Sequence, residues 1–165
     1  MPVTVEKTAG FCFGVKRAVL GVYNAIDSGR KIATLGDIIH NRQVTDDLES
    51  RGVYAYDRVE DIPPDYEIVI RAHGVGKDVY EKINDRPYTD LTCPFVEKIH
   101  KIVEKYHREG YRIVIVGDET HPEVIGINGW CDYEAVIIDS EATEINTDFG
   151  KKPICVVAQT TIKKK

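Results

Sequence analysis

The clearest strand in the sequence is Arg112-Ile113-Val114-Ile115-Val116-Gly117, which leads into the polar corner Asp118-Glu119-Thr120-His121-Pro122-Glu123. A β-branched apolar run bounded by Gly and polar residues is typical of a buried strand. The corner after it carries side chains that can bind ligands or move protons. This order of a buried run followed by a polar corner indicates one unit of an α/β protein.

The same order recurs on both sides of this segment. Further strands are predicted at 31–36, 67–72, 90–92, 135–138 and 153–158, and helices after Cys12 and at 43–48, 78–83 and 95–106. Strands that alternate with helices imply parallel sheets covered by helices. We therefore predict an α/β fold of two similar small domains with mostly parallel sheets, at 1–95 and 96–165. Because no helix follows the last predicted strand, we expect the second domain to be truncated.

Composition excludes several classes of protein. The 165 residues are 42% hydrophobic and 30% charged, which is ordinary for a soluble globular chain. No apolar run approaches the ~20 residues that cross a bilayer, and the N-terminus lacks the pattern of a signal peptide. The net charge of −5 disfavours a general nucleic-acid binder. We expect a cytoplasmic protein with neither nucleic-acid nor membrane partners.

The four cysteines fall into two groups. None belongs to a CxxC pair, and without a secretory signal we expect reduced thiols. Cys12 and Cys93 each precede a predicted helix, whose N-terminus favours the thiolate that binds metal. Cys131 and Cys155 have the sequence context of core residues. For Cys12 a buried structural thiol remains an alternative, and the spacing of the cysteines does not choose a metal.

Several chemistry-bearing side chains directly follow predicted strands: His40, His73, Cys93, His121 and Thr160. Ligands of open α/β sheets bind at the carboxyl ends of the strands. We therefore expect the three histidines to converge on one cleft shared with Cys12 and Cys93. The remaining histidines, His100 and His107, lie within a predicted helix and are expected at its surface.

Glu123 lies two residues after His121. In a dry cleft beside an anion its carboxyl group could donate a proton, and the Thr160 hydroxyl could extend that relay. An exposed position in the first turn of a helix, where a carboxylate stabilises the helix dipole, is the alternative interpretation.

Six ordered motifs cover essentially the whole chain. They are Gly10-Phe11-Cys12-Phe13-Gly14-Val15, Gly36-Asp37-Ile38-Ile39-His40-Asn41, Arg71-Ala72-His73-Gly74, Asp90-Leu91-Thr92-Cys93-Pro94, His121-Pro122-Glu123-Val124 and Gln159-Thr160-Thr161. In this order the chain resembles the 4-hydroxy-3-methylbut-2-enyl diphosphate reductase family, which acts last in the methylerythritol phosphate route to isoprenoids.

The resemblance implies a reductive dehydroxylation that yields isopentenyl and dimethylallyl diphosphate. It implies that Cys12 and Cys93 bind a [4Fe-4S] cluster, and that His40, His73 and His121 bind the substrate diphosphate. Glu123 and Thr160 would deliver protons. Reduced ferredoxin or flavodoxin would be the electron donor.

The chain departs from the family pattern in one respect. The family has three cluster cysteines and three α/β domains, whereas this sequence matches two of each. We therefore expect the N-terminal two-thirds of a longer reductase, inactive by itself. Two other classes stay open: a non-catalytic α/β module that binds a phosphorylated ligand, and a zinc hydrolase with Cys and His ligands.

Overall fold

The computed structural model describes residue 4, residues 10–139 and residues 149–162. This part of the chain contains two parallel sheets, one of four strands and one of three. The strands are β1 Ile32–Leu35, β2 Ala55–Tyr56, β3 Glu67–Ile70, β4 Tyr88–Asp90, β5 Arg112–Val116, β6 Val136–Ile138 and β7 Ile154–Ala158. The α-helices are α1 Phe13–Asp27, α2 Arg42–Ser50, α3 Lys77–Ile83, α4 Pro94–Arg108 and α5 Pro122–Asn128.

The first sheet has the strand order β2-β1-β3-β4 and is covered on both faces. Side chains alternate across a strand, so Val69 packs on one face with α1 while Ile68 and Ile70 pack on the other face. Helix α1 buries Ala18, Val22 and other residues at helical spacing against the first of these faces. Each Val or Ile buried in this way contributes roughly 1.5–3 kcal/mol.

The second sheet has the strand order β6-β5-β7, with β5 at its centre. Ile113 and Ile115 of β5 form its core with apolar side chains from α4 and α5. The opposite face is partly open, because Ile154 and Val156 on the edge strand β7 are 44% and 62% exposed. Apolar side chains of β7 therefore line one exposed side of this half of the molecule.

A seam of side chains joins the two halves. His100 of α4 is only 2% exposed and stacks on Trp130, with ring centroids 5.2 Å apart. The Trp130 indole N–H donates a hydrogen bond of 2.9 Å to the carbonyl oxygen of Val75, in the loop after β3. The seam is tight, since a Cβ added at Gly129 would lie 2.5 Å from the Cα of Gly76.

The expectation that His100 lies at the surface is therefore wrong. His100 follows Val96 by four residues and precedes Val103 by three, so it falls on the buried face of α4. Stacking against Trp130 accommodates the ring, although its Nε2 has no hydrogen-bond partner among the described residues. His107 is half-buried and lies 3.2 Å from the Asp132 carboxylate.

The six predicted strands and the α/β class are confirmed, although β4 begins at Tyr88 rather than Asp90. The short strand β2 is not predicted, because two residues carry no period-two pattern. The division at residues 95 and 96 stays a prediction; α4 spans it, and its core residues belong to the second half. None of the described helices is both long and apolar enough to cross a membrane.

Burial of His100 makes stability depend on pH. Desolvation lowers its pKa from 6.5 to about 4 in the folded chain. Below pH 6.5 the unfolded chain therefore binds a proton that the folded chain does not bind until about pH 4. The free energy of unfolding falls across this window, by about 3 kcal/mol at most.

We expect His100→Phe, which keeps a ring against Trp130, to remove this part of the pH dependence. Urea unfolding at about pH 7 and about pH 4.5 measures it. The unsubstituted chain should lose roughly 2–3 kcal/mol more than the variant over this interval. Equal losses in the two proteins would contradict the buried neutral state of His100.

Candidate active site

Three histidines from different strand ends form one cluster. His40 follows β1, His73 follows β3 and His121 follows β5. Their ring centroids are 4.5, 5.2 and 5.3 Å apart, and one nitrogen of each ring lies within 4.8 Å of the others. His40 is exposed and the other two are half-buried. The predicted convergence of the histidines is confirmed.

The backbone at the strand ends places the first two histidines side by side. Gly36 and Gly74 have φ of +74° and +70°, a region that residues with a Cβ rarely adopt. These glycines let the chain turn sharply after each of the two strands. The amide N–H of Ala72 donates to the carbonyl oxygen of Ile38 at 3.3 Å, which joins the two corners.

The histidines can donate hydrogen bonds without carrying full charge. Burial is the main cause that lowers the pKa of His73 to about 3, with repulsion from neighbouring positive groups adding to it. Burial also lowers the pKa of His121. The Nδ1 atom of His121 accepts a hydrogen bond of 3.1 Å from the amide of Glu123, so the neutral ring carries its proton on Nε2.

Glu123 and Thr160 form a hydrogen-bonded pair beside the cluster. The Thr160 hydroxyl donates to one carboxylate oxygen of Glu123 at 2.8 Å, and the Thr160 amide donates to the other oxygen at 2.5 Å. Glu123 is 1% exposed, whereas Thr160 is exposed. The interpretation of Glu123 as an exposed first-turn residue is therefore wrong.

Cys12 and Cys93 occupy the N-cap positions of α1 and α4, and neither side chain caps its helix. The Cys93 amide donates to the carbonyl oxygen of Ala72 at 2.9 Å, directly before His73. A Cβ at Gly14 would lie 2.4 Å from the Cys93 sulfur, so the absence of a side chain there lets α1 approach this thiol. Arg17 of α1 donates to the carbonyl oxygen of Thr92 at 2.9 Å and ties the two helix starts together.

Cys131 and Cys155 pack in the core of the second sheet. Cys131 is fully buried, and its thiol lies 3.3 Å from the Asn128 carbonyl oxygen. Burial raises the pKa of Cys131 to about 11 and also raises the pKa of Cys155. Cys155 is half-buried on β7 against the core of the second sheet. The interpretation of Cys131 as a core residue is confirmed.

One charged side chain at the site is missed by the sequence reasoning. Arg71 leaves the end of β3 two residues before His73, and its guanidinium lies directly against Gly36. The sequence does contain a signal for this residue. Arg71 ends a buried apolar run and belongs to the same motif as His73.

The arrangement can bind an anion or a metal. Imidazole N–H groups and a hydroxyl are donors for phosphate oxygens. Three imidazole nitrogens within 4.8 Å of one another could instead hold a divalent cation. The thiols of Cys12 and Cys93, free of capping bonds, are ligands of the kind that iron–sulfur clusters use.

Comparisons with known proteins give consistent results. The 4-hydroxy-3-methylbut-2-enyl diphosphate reductase of Clostridioides difficile is 44% identical over 168 aligned positions, 98% of this chain and 60% of the relative. The enzyme of the same name from Clostridium acetobutylicum is 43% identical over 26% of its length. This chain thus spans about 60% of the first of these relatives.

Solved structures agree with this. A structure of (E)-4-hydroxy-3-methyl-but-2-enyl diphosphate reductase superposes with a TM-score of 0.77 at 35% identity, over 98% of this chain and 59% of that one. The structure of the Plasmodium falciparum reductase superposes with a TM-score of 0.83 at 30% identity, over 94% of this chain and 50% of that one. The family described as LytB protein matches residues 3–165. This chain belongs to the LytB protein family.

Proposed function

We propose that this chain carries the diphosphate-binding and proton-delivering part of a 4-hydroxy-3-methylbut-2-enyl diphosphate reductase. The reaction breaks the allylic C–O bond of the substrate. Two electrons and two protons are consumed, the hydroxyl leaves as water, and a C–H bond forms in isopentenyl or dimethylallyl diphosphate. The observation that carries the proposal is the mutual contact of His40, His73 and His121.

The histidine cluster binds and orients the diphosphate in this proposal. The Nε2 proton of His121 faces away from the helix that its Nδ1 caps, and is available to a phosphate oxygen. His73 offers a further ring nitrogen, because its buried Nδ1 has no partner in the described part of the chain. Hydrogen bonds from several corners fix the position of the diphosphate and, through it, of the reacting end.

Glu123 delivers a proton in this proposal. Its carboxylate is buried, and its polar contact towards the exposed side is the Thr160 hydroxyl at 2.8 Å. When Glu123 is protonated, the Thr160 hydroxyl turns to accept that proton and gives its own to the leaving hydroxyl, which departs as water rather than as hydroxide.

An iron–sulfur cluster fits the donor set of Cys12 and Cys93, and we propose these two thiolates as its ligands within the chain. Such a cluster would supply the electrons and a Lewis-acidic iron. Cys131 and Cys155 are poor candidates because burial holds their thiols protonated. That the chain is inactive by itself stays a prediction, as does its electron donor, reduced ferredoxin or flavodoxin.

A zinc-type site at the histidine cluster is the second candidate, favoured by the three converging nitrogens. The nearby guanidinium of Arg71 opposes it, since its positive charge raises the energy of a bound cation. Metal analysis of the purified chain decides between the two. Stoichiometric zinc that is lost in His73→Ala would favour this second candidate.

Removing one imidazole should weaken anion binding. We expect His40→Ala and His73→Ala each to raise the Kd for inorganic diphosphate about tenfold or more, because a hydrogen bond to a charged group contributes roughly 1.5–3 kcal/mol. Isothermal titration calorimetry measures the change. His107→Ala, on the far part of α4, is the matched control and should bind as the unsubstituted chain does; equal affinities in all four proteins would refute the diphosphate site.

Removing one cysteine should affect bound iron selectively. After anaerobic reconstitution with iron and sulfide, Cys12→Ser and Cys93→Ser should each retain much less iron than the unsubstituted chain, since a hydroxyl replaces a thiolate ligand. Cys131→Ser is the control for a thiol that packs in the core. Iron content and absorbance near 400 nm are the readouts, and equal iron in all variants would exclude these ligands.

A methyl group at Gly14 should disturb Cys93. We expect Gly14→Ala to displace the Cys93 sulfur, which lies 2.4 Å from the added Cβ, and so to change the rate at which Cys93 reacts with a thiol reagent. Gly21→Ala on the same helix is the matched control, because its Cβ would meet the flexible end of the Leu91 side chain. Labelling followed by mass spectrometry reports each thiol, and an unchanged Cys93 rate in Gly14→Ala would contradict the close approach.

A further inference from the structure

An anion at the histidine cluster would gain from a source of positive charge besides the rings of His73 and His121. A diphosphate carries several negative charges, whereas the pKa of His73 is about 3 and that of His121 is lowered by burial. Burial thus disfavours the charged form of both rings. A permanently charged group close behind the cluster would attract the anion without first taking up a proton.

Arg71 is a charged group close to the histidine cluster. It connects β3 to the corner that carries His73, and its Nη1 would lie 2.1 Å from a Cβ built at Gly36, the residue that opens the corner of His40. The guanidinium therefore contacts the backbone of the corner that carries His40, although Arg71 itself belongs to the corner that carries His73. Its charge is felt at both His73 and His121, where it is one cause of their lowered pKa.

The charge of Arg71 is not neutralised by a direct partner. Among the described residues no ion pair includes Arg71, and its buried Nε has no hydrogen-bond partner. Asp37 and Asp57 are the carboxylates that influence it, and both are exposed to solvent, which screens them. Burial lowers the pKa of Arg71, but a guanidinium stays protonated near neutral pH.

We propose that Arg71 supplies the standing positive charge for anion binding at the histidine cluster. This inference rests on the proposed diphosphate site and deepens it. The charge of Arg71 acts on the diphosphate through space, while the imidazoles make the hydrogen bonds.

The test separates the effect of the Arg71 charge on diphosphate affinity from the effect of the side-chain shape. Calorimetric titration of the 165-residue chain with inorganic diphosphate, at low and at moderate salt, gives the Kd of each variant. Arg71→Met and Arg71→Gln remove the charge, and Arg71→Lys keeps it on a different head group. Arg30→Met is the matched control, because Arg30 pairs with Glu67 at the opposite end of the same sheet. Circular dichroism and thermal unfolding identify which variants are folded.

Arg71→Met and Arg71→Gln should raise the Kd about tenfold at low salt, whereas Arg71→Lys should remain within about threefold of the unsubstituted chain. Arg30→Met should bind normally. The salt dependence of binding should also become shallower in the two neutral variants, a change that loss of packing alone would not produce.

Two results would overturn the inference while leaving the diphosphate site intact: normal affinity in a folded neutral variant, or an equal loss in Arg71→Lys, which would assign the effect to shape. If the unsubstituted chain itself fails to bind diphosphate, the proposed function fails first, and this inference fails with it.

Discussion

The parallel pairing of β1 with β3 and of β5 with β7 is the constraint on which the site depends. Parallel pairing sends the carboxyl ends of neighbouring strands to the same edge of a sheet, so the corners that follow them meet. His40 and His73 come from neighbouring strands of one sheet, whereas His121 comes from the central strand of the other. The cluster therefore exists only if the two sheets face each other across the seam.

The seam is built from groups that tolerate little change. Gly76 and Gly129 let the backbones approach, and the Tyr133 hydroxyl donates to the Asp78 carboxylate at 2.6 Å beside them. His100 and Trp130 fill the interior by stacking. His121 belongs to one half and the other two histidines to the other half, so a shift of the halves would change the distances between their rings. Packing at the seam thus determines the geometry of the cluster.

The sequence predicts the strands and the convergence of the histidines well, because buried parallel strands have an apolar signal and a fixed direction. The environment of individual side chains is harder to predict. His100 and Glu123 both lie on helix faces that tertiary packing buries, and local polarity alone suggested exposure for each. Arg71 was missed because its role depends on Gly36, a residue 35 positions earlier in the chain, which only the folded backbone brings close. The roles of Cys12 and Cys93 rest on the family resemblance and on their shared place at helix starts.

We propose that the three imidazoles form one anion site at the meeting point of the two sheets. A crystal structure of the chain soaked with 4-hydroxy-3-methylbut-2-enyl diphosphate tests it most directly. We expect phosphate oxygens within hydrogen-bond distance of ring nitrogens of His40, His73 and His121, with the hydroxymethyl end directed towards Thr160. Diphosphate density bound elsewhere, with the three rings contacting only water or a metal ion, would contradict it.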